Sequence, residues 1–243
     1  IEKISISTHN QKANWKIIDS SLADPISPSK SVVELTIAGP GGILLSIATP
    51  LMGDYNSANV LMALALAVES GIDPLSAANA LSNAKGAPGR MESIELGQRF
   101  SAVIDYAHTP DAVSAALKAV RGSTKGRIIA VLGCGGDRDA AKRPLMGQAL
   151  ISGADLAIFT SDNPRSENPD DILQAMTAGI DIAQPSKRIS DRVEAIAYAV
   201  SLAGAGDTVA VLGKGHELGQ EINGKTLDFD DRVVLAKAIE AKR

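Results

Sequence analysis

Leu156-Ala157-Ile158-Phe159-Thr160-Ser161-Asp162-Asn163-Pro164-Arg165 begins apolar and ends in a charged turn. A short apolar run that stops at Asp-Asn-Pro predicts a buried strand whose carboxyl end opens into a loop. In open α/β sheets that edge is where ligands bind. Asp162 offers an anion for an ammonium group, Asn163 a donor and an acceptor, and Arg165 a rigid fork for a carboxylate. Together they suit a zwitterion such as an amino acid. The same residues also read as ordinary loop chemistry, because Asn168 suits a helix N-cap and Pro169 the first helical position. What else reaches that edge decides between the two readings.

Outward from this stretch, strand and helix alternate with little waste. Phe100–Ile104 is expected as a strand ending at Asp105-Tyr106-Ala107-His108, and Thr109-Pro110-Asp111 opens a helix reaching about Val120. Ile128–Leu132 is the next strand, ending in Gly133-Cys134-Gly135-Gly136-Asp137-Arg138, with a helix over Pro144–Ile151. Helices are expected from Pro169 and from Asp191, where Asp191 and Glu194 fit a capping box. Thr208–Leu212 is a strand ending in Gly213-Lys214-Gly215-His216-Glu217, and a last helix runs from Asp231 to about Ala241. Such alternation predicts an α/β fold with a parallel sheet and right-handed crossovers. Four apolar strands then deliver polar or glycine-rich loops to one edge, near Asp105, Gly133, Asp162 and Gly213. That convergence favours a ligand cleft over a plain loop.

The amino-terminal third reads differently. Alternating Ile4-Ser5-Ile6-Ser7 is followed by polar, turn-rich sequence, then by strands at Ser31–Ile37 and Ile43–Ala48 around Gly39-Pro40-Gly41-Gly42. These look like edge pieces of a larger sheet, so the chain is expected to start inside a domain. Gly53–Asn59 leads into an Ala/Leu-rich helix, Val60–Val68, closed by Gly71. Asp73 caps a second helix, with Pro74 at its first position, running to about Asn83. Asn56 and Asn59, three apart at a helix start, either face one ligand or supply a cap. Lys85–Glu92 breaks the pattern and is the expected domain boundary.

Composition narrows the class. The chain has 243 residues, 45% hydrophobic and 3% aromatic, so Ala, Val, Ile and Leu must fill its cores. A net charge of −4 gives no electrostatic case for nucleic acid. No apolar stretch approaches a membrane span, no signal peptide is apparent, and the single Cys134 has no internal disulfide partner. A soluble protein of a reducing cytoplasm is expected.

Several motifs are traps. Gly133–Gly136 follows a strand, but its spacing is not the G-x-G-x-x-G of a dinucleotide turn. Gly219-Gln220-Glu221-Ile222-Asn223-Gly224-Lys225-Thr226 matches the phosphate-loop pattern letter for letter. No helix opens after Thr226, however, and Asn223-Gly224 between short alternating runs predicts a type I′ hairpin instead. His9, His108 and His216 are dispersed, without metal-ligand spacing. Cys134 has no base in view and reads as a small buried thiol.

Read together, Asp105-Tyr106-Ala107-His108-Thr109-Pro110, Gly133–Arg138 with Lys142-Arg143-Pro144, Asp162–Arg165 and Gly213–Glu217 closely resemble the carboxyl-terminal domain of the Mur ligases. Gly53–Asn59 and Pro88-Gly89-Arg90-Met91-Glu92 resemble the end of that family's central ATPase domain. The resemblance is strongest to members that add 2,6-diaminopimelate to the peptidoglycan stem peptide. It implies a partial central ATP-binding domain over residues 1–92 and a Rossmann-like, amino-acid-binding domain with a mainly parallel sheet over 93–243. It also implies an amide ligase using ATP and Mg2+, in which a UDP-linked dipeptide carboxylate becomes an acyl phosphate that an amine attacks. By the same resemblance Arg138, Asp162, Asn163, Pro164, Arg165, Gly213 and Glu217 would bind meso-diaminopimelate. Arg138 would pair a carboxylate, Arg165 the distal carboxylate and Glu217 an ammonium. Asn56 and Asn59 would lie on the adenine side, Arg90 at a phosphate or ribose, and Asp105 and His108 on the ribose side.

The family's phosphate loop, magnesium ligands and carbamylated lysine fall before the position matching Ile1, so catalytic residues are not identified here. This polypeptide alone is expected not to turn over ATP. Its partners are expected to be small molecules, with no nucleic acid or membrane, and the protein a monomer. A lysine-adding or folate-polyglutamylating ligase, or a non-catalytic ligand-binding module, stays open as an alternative. Lysine-adding relatives usually lack the arginine of the Asp-Asn-Pro-Arg stretch, which argues against the first.

Overall fold

The computed structural model describes residues 3–23, 32–51 and 53–243, so Ser31, expected to open a strand, lies outside the described residues. The chain divides into two compact units, Ile1–Gly86 and Ala87–Arg243.

The first unit is a four-stranded sheet under two helices. Strands β1 (Ile6–Ser7), β2 (Trp15–Ala23), β3 (Val32–Ala38) and β4 (Leu44–Thr49) lie in that order, and helices α1 (Asp54–Glu69) and α2 (Pro74–Ser82) follow. The β1–β2 pair is parallel, whereas β2–β3 and β3–β4 are antiparallel. Period-2 alternation sends Val33, Leu35, Ile37, Leu45 and Ile47 inward, against Val60, Leu61 and Leu64 of α1. Trp15 is fully buried, and its Nε1 donates to Glu69 Oε1 at 2.7 Å. Strand β2 was expected as polar turn sequence. Its residues Lys16, Asp19 and Ser20 carry little strand signal, and pairing with β1 and β3 on its two sides makes it a strand. Helix α1 starts six residues before the expected Val60, placing Asn56 and Asn59 inside it. Neither caps it: the N-cap is Gly53, without a side-chain hydrogen bond. Asp73 does cap α2, accepting from the Ser76 amide at 2.9 Å.

The second unit is a sheet covered on both faces. Its elements are β5 (Glu92–Ser93), β6 (Ser101–Asp105), α3 (Pro110–Ser123), β7 (Ile128–Cys134), α4 (Lys142–Gly153), β8 (Leu156–Ser161), α5 (Pro169–Met176), β9 (Lys187–Arg188), α6 (Arg192–Leu202), β10 (Thr208–Leu212), β11 (Gly219–Ile222), β12 (Lys225–Asp228) and α7 (Asp231–Lys242). The strand order is β5-β6-β10-β7-β8-β9, parallel throughout except for β5. Alternation again sorts the side chains. Ile128, Ala130 and Leu132 pack with Val113, Leu117, Leu150 and Leu173 of α3, α4 and α5, while Ile129 and Val131 pack with Ile196, Val200, Leu235 and Ile239 of α6 and α7. The expected caps Asn168 and Asp191, and Thr109 at the expected opening of α3, each accept from the first turn of their helices. The phosphate-loop look-alike is the antiparallel hairpin β11–β12, with Asn223 at φ 49° and Gly224 at φ 71°, as a type I′ turn requires. Among the described residues no helix is long and apolar enough to cross a membrane.

One buried ion pair ties the open end of this sheet together. Arg192 donates through Nε and Nη2 to the two carboxylate oxygens of Asp231 (2.8 and 2.7 Å), and both side chains are fully buried. The same guanidinium donates to the carbonyls of Ser161 (3.2 Å) and Leu212 (3.0 Å), the last residues of β8 and β10. Breaking a buried pair by removing one partner costs about 3–5 kcal/mol, whereas replacing both by apolar groups can be close to neutral. Arg192→Met is therefore expected to lower unfolding free energy of the second unit by about 3–5 kcal/mol in calorimetry, and R192M/D231M to recover most of it. Equal losses in the single and double variants would contradict this account.

Candidate functional site

Strands β6, β7, β8 and β10 end together because they run parallel and in register, with Leu212 opposite both Asp105 and Leu132 and Cys134 opposite Ser161. Their loops enclose a cleft of about 480 Å3 lined by Tyr106, His108, Thr109, Gly133, Cys134, Gly135, Arg138, Asp139, Lys142, Arg143, Met146, Asp162, Asn163, Arg165, Gly213 and Glu217. Of the residues singled out from sequence for amino-acid binding, Arg138, Asp162, Asn163, Arg165, Gly213 and Glu217 reach this cleft. Pro164 does not line it. Its carbonyl accepts from the Glu167 amide at 3.1 Å.

A buried lysine organises the floor. Gly213 (φ 111°) and Gly215 (φ 56°) turn the chain sharply after β10, and between them Lys214 is fully buried. Its Nζ donates to Asn163 Oδ1 (3.0 Å) and Glu217 Oε2 (3.3 Å) and lies 3.6 Å from Asp162 Oδ1. Asn163 Nδ2 donates to the same Glu217 oxygen at 2.9 Å, and Tyr106 Oη donates to Glu217 Oε1 at 3.4 Å. Burial pushes the Asp162 carboxyl above the usual range, against the opposing pull of Arg192 and Lys214. Lys214 is thus shared between the two carboxylates, nearer to Glu217 than to Asp162. Glu217, with its side chain 35% exposed, is the carboxylate open to an incoming ammonium.

The glycine loop and the Asp162–Arg165 loop are joined along their length. The Gly136 amide donates to Asn163 O (2.9 Å), and Arg165 Nη1 donates to Gly136 O (2.7 Å). A Cβ at Gly136 would overlap the Pro164 carbonyl, so only glycine fits there. Asp137, at φ 52°, accepts from Ser166 through both oxygens, and its amide donates to Glu167 Oε1. Buried Arg143 donates to that oxygen as well, at 2.7 Å. Arg138 is exposed, and among the described residues its guanidinium makes no hydrogen bond or ion pair. Burial pushes the Cys134 thiol up to about 12, so it stays protonated and is no nucleophile. The cleft therefore offers guanidinium groups at 138 and 165 for carboxylates and a carboxylate at 217 for an ammonium.

The residues expected on a nucleotide side belong to both units. Asn56 and Asn59 belong to the first unit, where Asn59 Nδ2 donates to Asn56 Oδ1 at 3.3 Å. Arg90 lies over the Tyr106 ring at 4.9 Å, and His108 Nδ1 is 2.8 Å from Tyr106 O. Asp105 is buried, accepts from the Met91 amide at 2.9 Å, and has its carboxyl pushed up by desolvation. Lys214, Tyr106 and Arg143 were not singled out from sequence. Lys214 did leave a signal, a lone lysine between two glycines directly after a buried strand. Arg143 belonged to the Lys142-Arg143-Pro144 segment that carries the resemblance, but nothing local marked it as a partner of Glu167.

Asp137 and Glu167 titrate below their usual range, held down first by Ser166 and by Arg143 respectively. Carboxylates depressed in the folded state stabilise it above their unfolded pKa of about 4, and that stabilisation disappears as pH falls through the folded value. The amide resonance of Ser166 is accordingly expected to titrate with a midpoint below about 3.9 in an NMR series. A midpoint at or above that value would remove Asp137 as the clasp between the loops.

Comparison with known proteins places these features. A family model described as "Mur ligase, glutamate ligase domain" matches residues 89–215. The chain is 46% identical over 233 residues to the UDP-N-acetylmuramoyl-L-alanyl-D-glutamate–2,6-diaminopimelate ligase of Streptomyces coelicolor, covering 94% of this chain and 45% of that protein. It is 46% identical over 221 residues to the ligase of the same name from Geobacillus thermodenitrificans, covering 87% of this chain and 45% of that protein. The chain thus spans about half the length of the curated relatives it matches. A solved structure of a ligase bearing that name superposes with a TM-score of 0.71 at 40% identity, over 98% of this chain and 47% of the other. A folylpolyglutamate synthase from Mycobacterium tuberculosis, 20% identical with a TM-score of 0.64 over 83% of this chain and 46% of the other, shares the fold. With the family model covering more than half its residues, and its α/β sheet built accordingly, the chain belongs to the Mur ligase family.

Proposed function

We infer that this chain forms the amino-acid-accepting part of an ATP-dependent ligase that joins meso-2,6-diaminopimelate to UDP-N-acetylmuramoyl-L-alanyl-D-glutamate in peptidoglycan synthesis. The observation that carries this reading is the charge pattern of one cleft: Arg138 and Arg165 on its wall and Glu217 on its floor. Diaminopimelate carries an ammonium and a carboxylate at each end. Arg165 holds the distal carboxylate, Arg138 the other, and Glu217 an ammonium, with Asp162, Asn163 and Gly213 as further contacts to the amino acid and Asn163 and Lys214 hydrogen-bonded to Glu217. The names of the relatives support the same substrate.

In the proposed reaction ATP phosphorylates the free D-glutamate carboxylate, the amine of diaminopimelate attacks the acyl phosphate, and phosphate leaves. The cleft supplies positioning and charge complementarity rather than a nucleophile, consistent with the protonated Cys134. On the nucleotide side, Asn56 and Asn59 take the adenine, Arg90 a phosphate or ribose, and Asp105 and His108 the ribose. Residues 1–92 are the carboxyl-terminal part of the family's central ATP-binding domain and 93–243 its amino-acid-binding domain. Magnesium would accompany ATP. Among the described residues no group of three or more His, Cys, Asp or Glu side chains is placed to hold a metal ion. The protein acts in the cytoplasm as a monomer on small-molecule substrates.

Arg165→Ala is expected to weaken meso-diaminopimelate binding by about 1.5–3 kcal/mol in titration calorimetry, the worth of a hydrogen bond to a charged group. Unchanged affinity would remove Arg165 from the site. L-Lysine, which lacks the distal carboxylate, is expected to compete poorly with diaminopimelate. Equal competition would instead favour a lysine-adding ligase.

A further inference from the structure

The β11–β12 hairpin contributes no residue to the cleft lining, yet it grips the Asp162–Arg165 loop from behind. The Arg165 amide donates to Glu221 O (2.9 Å) and the Asn223 amide to Arg165 O (2.6 Å), a parallel bridge that pairs Arg165 with Ile222. The Glu221 amide donates to Asn163 Oδ1 (3.1 Å). Gln220 is buried, and its Nε2 donates to the Asp162 carbonyl at 2.7 Å. The Glu221 carboxylate lies 3.4 Å from Arg165 Nε. Every residue of the loop except Pro164 is therefore tied to the hairpin.

Arg165 needs such a brace. It sits at φ 55°, where a Cβ crowds the following carbonyl. A residue in that region stays there only when its surroundings over-determine it. The hairpin is suited to the task because its type I′ turn at Asn223-Gly224 fixes its own register without help from the loop. Glu221 adds a second effect. It balances the guanidinium charge at Nε, while Nη1 is held by Gly136 O, which orients the fork before any ligand arrives.

We propose that the β11–β12 hairpin is the specificity-positioning element of the cleft, with Gln220 and Glu221 holding Arg165 in its left-handed conformation so that its guanidinium is preset for the distal carboxylate of a diamino diacid. This rests on the reading of the cleft given under Proposed function. Gln220 acts through the Asp162 carbonyl and Glu221 through Asn163 and Arg165, and neither lines the cleft.

Two variants of the full chain test it. Gln220→Met keeps the volume and removes the donor to Asp162 O. Gly224→Ala strains the exposed turn at φ 71°, where a Cβ meets nothing within 4 Å, so the core is untouched should the first variant fold poorly. Without ligand, hydrogen exchange at the Arg165 and Asn223 amides is expected to quicken about 3–10-fold, with the amides of β7 and β8 unchanged. Titration with meso-diaminopimelate should show affinity about 3–10-fold weaker, while the weaker affinity for L-lysine stays as it was. Losing both ligands equally, or keeping the full preference for diaminopimelate, overturns the hairpin's role and leaves the cleft reading standing. A wild-type chain that does not distinguish the two amino acids overturns the cleft reading, and the hairpin's role falls with it.

Discussion

The Arg192–Asp231 pair is the constraint on which the open end of the second unit depends. A fully buried guanidinium is tolerable only when nearly all its donors are used. Here they are spent on one carboxylate and on the carbonyls that terminate β8 and β10. One side chain from the start of α6 and one from the start of α7 thus satisfy the sheet edge and fix the take-off points of the Asp162 and Gly213 loops. The arrangement also puts a positive charge beneath Asp162, which favours its ionised form against the burial that opposes it.

Above this base the cleft is layered by charge. Lys214 neutralises Asp162 and part of Glu217 inside the protein, and Arg143 neutralises Glu167. Of the charged groups lining the cleft, Arg138 has no ion-pair partner among the described residues, whereas Arg165 is held by Glu221 and Gly136 and Glu217 by Lys214, Asn163 and Tyr106. Fixed charges in a shaped pocket bind a ligand of matching pattern with little reorganisation. The close approach of Gly133 to Ser161 and of Gly136 to Pro164 makes the two loops one rigid wall, which a side chain at either glycine would force apart.

Much of this was legible in the sequence because the signals are local. Runs such as Ile128–Leu132 and Thr208–Leu212 are too short and too apolar for surface helices, and Thr109, Asn168 and Asp191 stand where helix caps belong. The hairpin at Asn223-Gly224 could be told from a phosphate loop because a turn that demands two positive φ angles names its residues. What failed to show was decided at a distance. Strand β2 has a weak pattern of its own and exists through its neighbours. The start of α1 has no capping side chain to mark it. Asp162 reads as an open anion until Lys214, 52 positions later in the chain, is seen beside it.

Local sequence signals sufficed for the fold class, for the strands ending near Asp105, Gly133, Asp162 and Gly213 with the helices between them, and for the convergence of their loops at one sheet edge. These follow from periodicity, caps and turn residues, which act over a few neighbours. Folding in three dimensions settled the strand order with β10 between β6 and β7, the sharing of buried Lys214 between Asp162 and Glu217, and the bracing of Arg165 by a hairpin more than 50 residues onward. The reason is physical. Burial and charge pairing depend on distance in space, and residues far apart along a chain carry no mark of one another until the chain is folded.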